Sequence, residues 1–258
     1  MHRCNLLLGD CVEKLKELPQ DSIDLVVTSP PYDDLRSYNS VIDWNTLAKE
    51  LYRVVKPGGV VVWNVNDKIT NGSKSLTSFK QCIMFNECGF NVNDVMIWEK
   101  TNPMPQVKQP RYNQVFEYMF VFSKGSPKTF NPIMVDCKCA NRYYDSTCKQ
   151  ISKDNVREHK EFKINDQKVD SNIWKISIAQ NKTEHPAVFP IEIPDRHIVT
   201  WTNEGDTVLD PFLGSGTTGV SAILHNRKFI GIEVEQKYFD IASEQIRYAE
   251  TELNSRLW

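Results

Sequence analysis

The chain has 258 residues, of which 40% are hydrophobic and 25% are charged, and its formal net charge is −2. This length suits one large domain or a domain with an insert, and it is enough to bury a sizeable core. No run of about 18 apolar residues occurs, so we expect no membrane span. The first residues lack the form of a signal peptide, and seven scattered cysteines predict reduced thiols in a cytoplasmic protein.

The first half of the chain alternates short apolar runs with amphipathic stretches. In chain order we predict a strand over 5–10, a helix over 11–18, a strand over 23–28, a helix over 46–55, a strand over 60–65, a helix over 76–86 and strands over 92–98 and 115–122. The run Lys56-Pro57-Gly58-Gly59 is typical of a helix end. This alternation favours an α/β fold with a mostly parallel, twisted sheet and helices on both faces.

The run Ser29-Pro30-Pro31-Tyr32 follows the predicted strand over 23–28 directly. Open α/β sheets bind their ligands there, outside the carboxyl ends of the strands. Two prolines fix two φ angles at about −65° and remove two backbone donors. The resulting loop presents acceptors beside one aromatic ring, which suits the planar amino group of a base. A rigid strand-to-helix turn without catalytic role is the alternative interpretation of these four residues.

A second strand, turn and helix pattern lies in the other half of the chain. There, Thr207-Val208-Leu209 leads into Asp210-Pro211-Phe212-Leu213-Gly214-Ser215-Gly216-Thr217-Thr218-Gly219, and a helix is predicted over 220–225. Glycines permit positive φ and a close approach of the backbone to a ligand. The next strand, over 229–232, ends in Glu233, where an acid can hold the two hydroxyls of a ribose. Because the glycine spacing also matches the dinucleotide fingerprint, the pattern predicts a nucleoside cofactor and leaves its identity open.

Taken together, Ser29–Tyr32 and Asp210–Thr218 resemble two motifs of the DNA methyltransferases that modify the exocyclic amino group of cytosine or adenine. The first resembles their catalytic motif and the second their S-adenosylmethionine-binding motif. The run His185-Pro186-Ala187-Val188-Phe189-Pro190 is similar to the motif that flanks the methionine end of the cofactor. The permuted order of catalysis, target recognition and cofactor site resembles the beta group of this family. The likeness extends from about residue 5 to about residue 240, without the middle insert, and implies the S-adenosylmethionine-dependent methyltransferase fold.

The resemblance assigns residues to two roles. Catalysis is assigned to Ser29, Pro30, Pro31 and Tyr32. The cofactor S-adenosyl-L-methionine is assigned to Asp10, Cys11, His185, Pro186, Phe189, Asp210, Pro211, Phe212, Gly214, Ser215, Gly216, Thr217, Thr218 and Glu233. Asp10 is also a suitable N-cap for the helix over 11–18, and the two roles are compatible.

The first residue of the catalytic motif bears on the target base. Serine at that position is more frequent in cytosine-N4 enzymes of the family, so we expect cytosine N4, with adenine N6 as the alternative. Methylation at cytosine carbon-5 is not expected, because that chemistry uses a cysteine after a proline and no cysteine here follows one.

A basic region interrupts the predicted scaffold. Residues 124–182 hold twelve basic and seven acidic side chains, a net of +5, which leaves −7 on the rest of the chain. Contacts with phosphates need such a local patch. We therefore predict a catalytic domain over 1–124 and 181–258 with a target-recognition insert over 125–180. The expected DNA contacts, there and in the Pro-rich loop over 100–112, are Lys100, Lys108, Arg111, Lys138, Arg142 and Lys149.

The insert also contains Cys137, Cys139 and Cys148, with His159 nearby. Their gaps lack the paired spacing of zinc sites, so we predict free thiols and no metal. The expected partner is double-stranded DNA in a prokaryotic or phage setting, and the resemblance is compatible with a cognate restriction endonuclease and with a homodimer.

Two alternatives from other classes stay open. A nicotinamide-dependent oxidoreductase needs a full nucleotide-binding half after the glycines, and only about forty residues follow Gly219. A non-catalytic DNA-binding module on a decayed scaffold is disfavoured because both motifs are intact.

Overall fold

The computed structural model describes residues 3–31, 42–103, 110–140, 142–147, 159–178 and 189–255. The chain divides into two compact units, one of Met1–Asn131 with Asn172–Trp258 and one of Pro132–Ser171. The second unit is shorter at both ends than the predicted insert over 125–180.

The helices and strands follow the alternation expected from the sequence. The helices are α1 (Cys11–Glu17), α2 (Trp44–Val54), α3 (Thr77–Glu87), α4 (Glu192–Trp201), α5 (Thr217–Leu224) and α6 (Gln236–Ser255). The strands are β1 (Cys4–Leu8), β2 (Ile23–Thr28), β3 (Val55–Val65), β4 (Ile69–Thr70), β5 (Ser73–Lys74), β6 (Asn91–Lys100), β7 (Phe116–Ser123), β8 (Met134–Asp136), β9 (Tyr143–Thr147), β10 (His159–Lys163), β11 (Gln167–Val169), β12 (Ile173–Ile176), β13 (Thr207–Asp210) and β14 (Lys228–Glu233).

The larger unit contains an eight-stranded sheet with the order β1-β14-β13-β2-β3-β7-β6-β12. All neighbouring pairs are parallel except those of β7, which runs antiparallel to both β3 and β6. This confirms the predicted α/β class with a mostly parallel sheet. In the smaller unit, β8 pairs with β11 and β9 pairs with β10, both antiparallel.

Local sequence explains how α2 and β3 form and meet. Asp43 caps α2 by accepting a hydrogen bond from the Thr46 N–H. Helix α2 ends at Val54, directly before the run 56–59 that predicted its end, but this run lies within β3 and not in a separate turn. The register between β2 and β3 shifts there, and Gly58 has a φ of +81° with its N–H bonded to the Lys124 carbonyl. The glycine thus makes a bulge in the strand rather than a separating turn.

The core on the α2 and α3 face of the sheet is aromatic. Trp63, Phe85, Phe90 and Phe122 are almost completely buried, and the rings of Phe85 and Phe122 stack with centroids 4.7 Å apart. Stacked rings contribute about 0.5–1.5 kcal/mol beyond their burial. This core holds β3 and β7 firmly beneath the edge that carries the candidate site.

Several elements differ from the sequence prediction. Helix α5 starts three residues before the predicted 220, and helices α4 and α6 were not predicted. Strand β12 lies inside the predicted insert, yet it pairs with β6 in the main sheet. Among the residues that the structure describes, none of the helices has both the length and the apolar character needed to cross a membrane.

Candidate active site

The predicted catalytic residues follow β2 at the carboxyl edge of the sheet. Ser29 is half-buried, Pro30 is buried and Pro31 is half-buried. Tyr32 lies outside the described residues. Because β13, β2 and β3 are parallel neighbours, Ser29–Pro31 lies between the strand that ends at Asp210 and the strand that ends at Val65.

A buried hydrogen bond connects the catalytic loop with the glycine-rich turn. The Thr28 hydroxyl donates to Asp210 Oδ1 over 2.6 Å, although the two residues are 182 positions apart in the chain. The same oxygen accepts the Phe212 N–H at 3.0 Å. Thr28 therefore fixes the last residue of β2 to the first residues of the turn, and the two predicted motifs form one site.

The environment of Asp210 changes its acidity. Burial raises the pKa of this carboxyl to about 6, and the charge of Glu233 adds to the shift, while hydrogen bonds from Thr28, Phe212 and Thr218 act in the opposite direction. Burial has this effect because removal of water penalises the charged form. Asp210 is thus a carboxylate near neutral pH and titrates within reach of mildly acidic conditions.

The turn after Asp210 is shaped by a glycine with left-handed backbone. Gly216 has a φ of +88° and precedes α5 directly, and a Cβ there would lie 3.0 Å from the Cβ of Ala242. Both observations require glycine. Pro211, Ser215 and Thr218 are buried along this segment, Gly214 and Thr217 are half-buried, and no described side chain caps the first turn of α5.

Glu233 holds the turn from the end of β14. Its Oε2 accepts the Gly214 N–H at 2.8 Å, and its Oε1 accepts the N–H groups of Val234 and Glu235, both at 3.0 Å. The sequence did not predict this tie. The expected role of Glu233 at a ribose remains a prediction, and the carboxylate lies where that role requires it, at the end of the strand next to β13.

Asp10 and Cys11 lie at the end of β1. The Asp10 carboxylate accepts hydrogen bonds from the N–H groups of Val12 and Glu13. It therefore caps α1, which was one of its two expected roles. Its role at the cofactor adenine remains a prediction. Burial raises the pKa of the Cys11 thiol to about 12, and Asp10 adds to the shift, so this thiol stays neutral.

Phe212 lies against two tryptophans. Its ring centroid is 6.2 Å from that of Trp44 and 6.1 Å from that of Trp63. Phe189 is half-buried, whereas His185 and Pro186 lie outside the described residues. Packing on these two rings limits the orientation of Phe212, and its expected role at the cofactor remains a prediction.

The residues at this edge fit S-adenosyl-L-methionine. Asp210 and Glu233 are the last residues of β13 and β14, and Asp10 follows two residues after the neighbouring β1. Carboxylates accept hydrogen bonds from ribose hydroxyls and attract an ammonium or sulfonium group. The glycine-rich turn beside them permits a close approach.

Lys100, one of the expected DNA contacts, belongs to a side-chain network on the other half of the edge. Its ammonium forms an ion pair with Glu117 over 2.6 Å, and the second Glu117 oxygen accepts a hydrogen bond from Asn64 at 3.0 Å. The ammonium also lies 5.0 Å from the Trp98 ring. The sequence prediction missed Glu117 and Asn64, and the available signal was a lone acid in the apolar run over 115–122.

The other expected DNA contacts are dispersed. Arg111 donates to the carbonyl of Gly72 at 2.8 Å, on the edge that carries the site. Lys138 and Arg142 are exposed in the smaller unit. Lys108 and Lys149 lie outside the described residues.

The cysteines of the insert form no cluster with other ligands in the part of the chain that the structure describes. Cys137 is half-buried and Cys139 is exposed, both with free thiols. No group of three metal-binding side chains occurs among the described residues, and Cys148 is outside them.

Comparison with known proteins indicates the same family that the sequence motifs resemble. The family model for N6 and N4 methyltransferases, described as DNA methylase, matches residues 23–244. The chain is 45% identical over 254 residues to the orphan methyltransferase M.BamHII of Bacillus amyloliquefaciens, and the match covers 93% of this chain and 91% of that protein.

Two solved structures share the fold. The PvuII DNA methyltransferase (cytosine-N4-specific) has a TM-score of 0.68 at 22% identity, with 97% of this chain and 92% of that chain covered. The M1.HpyAVI–S-adenosylmethionine complex has a TM-score of 0.62 at 24% identity, with 94% and 99% covered.

Proposed function

Because this chain belongs to the DNA methylase family, we propose that it transfers a methyl group to the exocyclic N4 atom of a cytosine in duplex DNA. The chain is a DNA methyltransferase of the amino-methylating beta group, and S-adenosyl-L-methionine is its cofactor. The choice of cytosine and the roles of single residues are our proposal.

The observation that carries the proposal is the link between the two motifs. The hydrogen bond from Thr28 to Asp210 places Ser29–Pro31 beside the turn assigned to the cofactor. A transferring methyl group must travel only a short distance in line between donor and acceptor, so donor and acceptor sites must be held next to each other.

The proposed chemistry follows from the base. The lone pair of the amino nitrogen is delocalised into the ring, which makes it a poor nucleophile. We propose that the Ser29 hydroxyl oxygen and the Pro30 carbonyl oxygen accept hydrogen bonds from the two hydrogens of this amino group. The nitrogen then becomes tetrahedral, and its lone pair points towards the cofactor site. The bound cofactor would supply the electrophilic sulfonium methyl: the N–C bond would form as the S–C bond breaks, the neutral thioether would leave, and one amino proton would pass to solvent. Positioning and electrostatics then supply most of the rate.

Tyr32 is assigned to the base itself. A target base must leave the duplex before its amino group can reach the loop, and aromatic side chains stack on such flipped bases. The fixed backbone of Pro30 and Pro31 would hold the tyrosine beside the acceptors.

Cytosine is favoured over adenine by Ser29. A hydroxyl at this position is a weaker acceptor than a carboxylate, and serine resembles the cytosine-N4 type. The family model covers both N6 and N4 enzymes, so adenine N6 is the second candidate, with the same fold, cofactor and loop.

The smaller unit is our candidate for target recognition. It carries the exposed Lys138 and Arg142, which can reach phosphates. The 45% identical relative is named an orphan methyltransferase, which supports action without a paired restriction endonuclease.

The decisive experiment is methyl transfer to unmethylated duplex DNA from labelled S-adenosyl-L-methionine, followed by mass spectrometry of the nucleosides. We expect label in N4-methylcytosine. Label in N6-methyladenine would reject the choice of base and leave the mechanism intact.

Two controls give this experiment its meaning. Pro30→Ala should abolish turnover while the cofactor still binds, because it alters the loop and leaves the glycine turn intact. Absence of label in every base with the wild-type protein, under conditions in which the cofactor binds, would contradict the proposed function.

A further inference from the structure

A small hairpin leaves the sheet at the edge where the catalytic loop lies. Strands β4 and β5 pair antiparallel, and they follow shortly after the end of β3. Strand β3 is the parallel neighbour of β2, so both strands end at the same edge. Ser29 continues from one strand and the hairpin from the other.

The tip of the hairpin is polar, small and exposed. Asn71 and Gly72 have φ angles of +50° and +80°. Two consecutive left-handed residues are what the tightest hairpin turns require. Thr70 and Ser73 flank them, and all four residues are exposed. The tip therefore offers an amide and two hydroxyls, and no charge.

Contacts on both sides fix the hairpin. Arg111 donates to the Gly72 carbonyl at 2.8 Å, and Lys74 donates to Gln114 Oε1 at 2.7 Å. Asp67, just before β4, accepts both the N–H and the hydroxyl of Ser78 at the start of α3. A two-stranded ribbon is marginally stable alone, so these bonds preorganise it. A preorganised element loses less entropy when it binds a partner.

The charges from the start of the hairpin to α3 are positive, and the one acid next to them, Asp67, is bonded to Ser78. Residues 68–80 include three lysines and no acidic residue. Lys68 and Lys74 are half-buried at the stem, and Arg111 contacts the turn from one side at the Gly72 carbonyl. Cations at the stem and hydrogen-bonding groups at the tip match a groove of DNA, where phosphates form the rim and base edges form the floor.

We propose that the β4–β5 hairpin enters the major groove of the substrate duplex beside the target base, with Asn71 at a base edge and Lys68 and Lys74 near phosphates. The major groove, about 12 Å wide, admits a two-stranded ribbon as it stands, whereas the minor groove, about 6 Å wide, must be widened for one at a cost in free energy. The inference rests on the proposed function, because it takes duplex DNA as the substrate.

The test uses two variants of Asn71 and one matched control. Asn71→Asp keeps the shape and replaces the amide by a carboxylate, and Asn71→Gly keeps the left-handed turn without a side chain. Asn226→Asp is the control, because Asn226 also has a positive φ, of +60°, and lies between α5 and β14 at the opposite edge. Its Oδ1 accepts from Arg3, which aspartate preserves.

The readouts are the Kd for a short duplex that contains a site methylated by the wild type, the Kd for S-adenosyl-L-methionine, and the Tm. Both Asn71 variants should weaken duplex binding by about tenfold or more. Their cofactor binding and Tm should match those of the wild type, and Asn226→Asp should match the wild type throughout. Lys68→Gln should reduce, by about one, the magnitude of the negative slope of the logarithm of the duplex association constant against the logarithm of the salt concentration.

The inference and the proposed function fail in different ways. If the wild type methylates DNA and both Asn71 variants bind the duplex as tightly as the wild type does, the hairpin inference is wrong and the function stands. If the wild type neither binds nor methylates duplex DNA, both are wrong. If Asn71→Asp lowers the Tm, Asn71→Gly decides, since glycine adopts this φ without strain.

Discussion

The two halves of the sheet edge are held together by different kinds of contact. On one half, called the cofactor half because it carries the turn 210–219 assigned to the cofactor, the carboxylates of Asp210 and Glu233 accept hydrogen bonds from main-chain N–H groups of that turn. On the other half, Lys100, Glu117 and Asn64 contact one another through side chains. Main-chain donors stay in place when neighbouring residues change, whereas a side-chain pair is lost with either partner. We therefore expect the first half to keep its geometry when neighbouring side chains are substituted. The second half should tolerate substitution only when both partners of a side-chain pair are changed together.

The largest effect is expected from Asp210→Ala. This change removes the acceptor of the buried Thr28 hydroxyl and of the half-buried Phe212 N–H, at a cost of about 1–3 kcal/mol for the first and less for the second. Affinity for S-adenosyl-L-methionine, measured by titration calorimetry, should fall by about 100-fold or more.

The matched control for Asp210→Ala is Asp24→Ala. Asp24 also joins β2 to β13, because its Oδ2 accepts the Thr207 N–H at 2.9 Å, but it does so at the opposite edge. This control should lower stability and leave cofactor affinity unchanged. Equal losses of cofactor affinity in both variants would contradict a special role for the carboxyl edge.

The next largest effect is expected from Gly219→Ala, which tests the packing behind the cofactor half. An added Cβ would lie 2.4 Å from Ile246 Cδ1 and 2.6 Å from Phe229 Cε1. Overpacking of this kind costs about 1–3 kcal/mol, so urea unfolding should show a loss of about 2–3 kcal/mol.

Gly205→Ala separates crowding from backbone strain. Gly205 has a φ of +84° and nothing within 4 Å of an added Cβ, so only strain remains, at about 1 kcal/mol. A loss in Gly219→Ala no larger than this would show that α5, α6 and β14 move apart readily.

Glu117→Gln tests the other half of the edge, where Lys100, Glu117 and Asn64 contact one another. It removes the partner of Lys100, whose side chain is only 18% exposed, and should destabilise the fold by about 2 kcal/mol. The double variant Glu117→Gln with Lys100→Met should recover most of this loss, because no unpaired charge remains. Cofactor affinity should not change in either variant.

The control for Glu117→Gln is Glu17→Gln, which removes the exposed ion pair between Lys14 and Glu17. Exposed pairs contribute at most about 1 kcal/mol. Equal effects of Glu17→Gln and Glu117→Gln in urea unfolding would mean that the pair of Lys100 is also a minor one.

A smaller effect at pH 7 should come from His197 in α4, which packs on Trp174 of β12 with ring centroids 4.6 Å apart. Neither ring nitrogen has a hydrogen-bond partner among the residues that the structure describes. Burial lowers the pKa of His197 from 6.5 to about 3, and Arg196 adds to the shift.

The sign of the pH effect follows from this pKa. Below pH 6.5 this histidine is protonated in the unfolded chain, whereas in the folded chain it stays neutral down to about pH 3. The free energy of unfolding therefore decreases as the pH falls through this window, by up to about 1.4 kcal/mol per pH unit. His197→Leu should remove this slope and be neutral to stabilising by about 1 kcal/mol at pH 7. An unchanged slope in urea unfolding at several pH values would assign the acid sensitivity to other groups.

The motifs of the site could be predicted because each is contiguous in sequence. Each motif directly follows a predicted strand: Ser29-Pro30-Pro31 follows one, and the turn at Asp210 follows another. Placing them at the site needs only the rule that ligands bind at the carboxyl ends of strands. The order of the motifs also predicted the family, which the family model and the 45% identical relative confirm.

Contacts across strands could not be predicted in the same way. The network of Asn64, Glu117 and Lys100 depends on β7 lying antiparallel between β3 and β6, and no local pattern specifies this order. Strand β12 was missed because it has only four residues. Helix α4 was missed because Pro194 lies near its start, where proline is tolerated although it reads as a break.

The strand order has a consequence for the way the protein folds. Strands β1 and β2 complete their part of the sheet only when β13 and β14 arrive, and the bond from Thr28 to Asp210 closes a loop of 182 positions. Contacts between residues so distant in sequence form slowly, because closing the loop costs conformational entropy before the contacts it brings together contribute favourable energy. During synthesis, a chain that has not yet reached residue 207 carries the catalytic loop beside an unpaired edge of β2. Such a chain lacks the acids that hold the cofactor turn, so a nascent or truncated chain is open to aggregation and to chaperones but cannot methylate the genome.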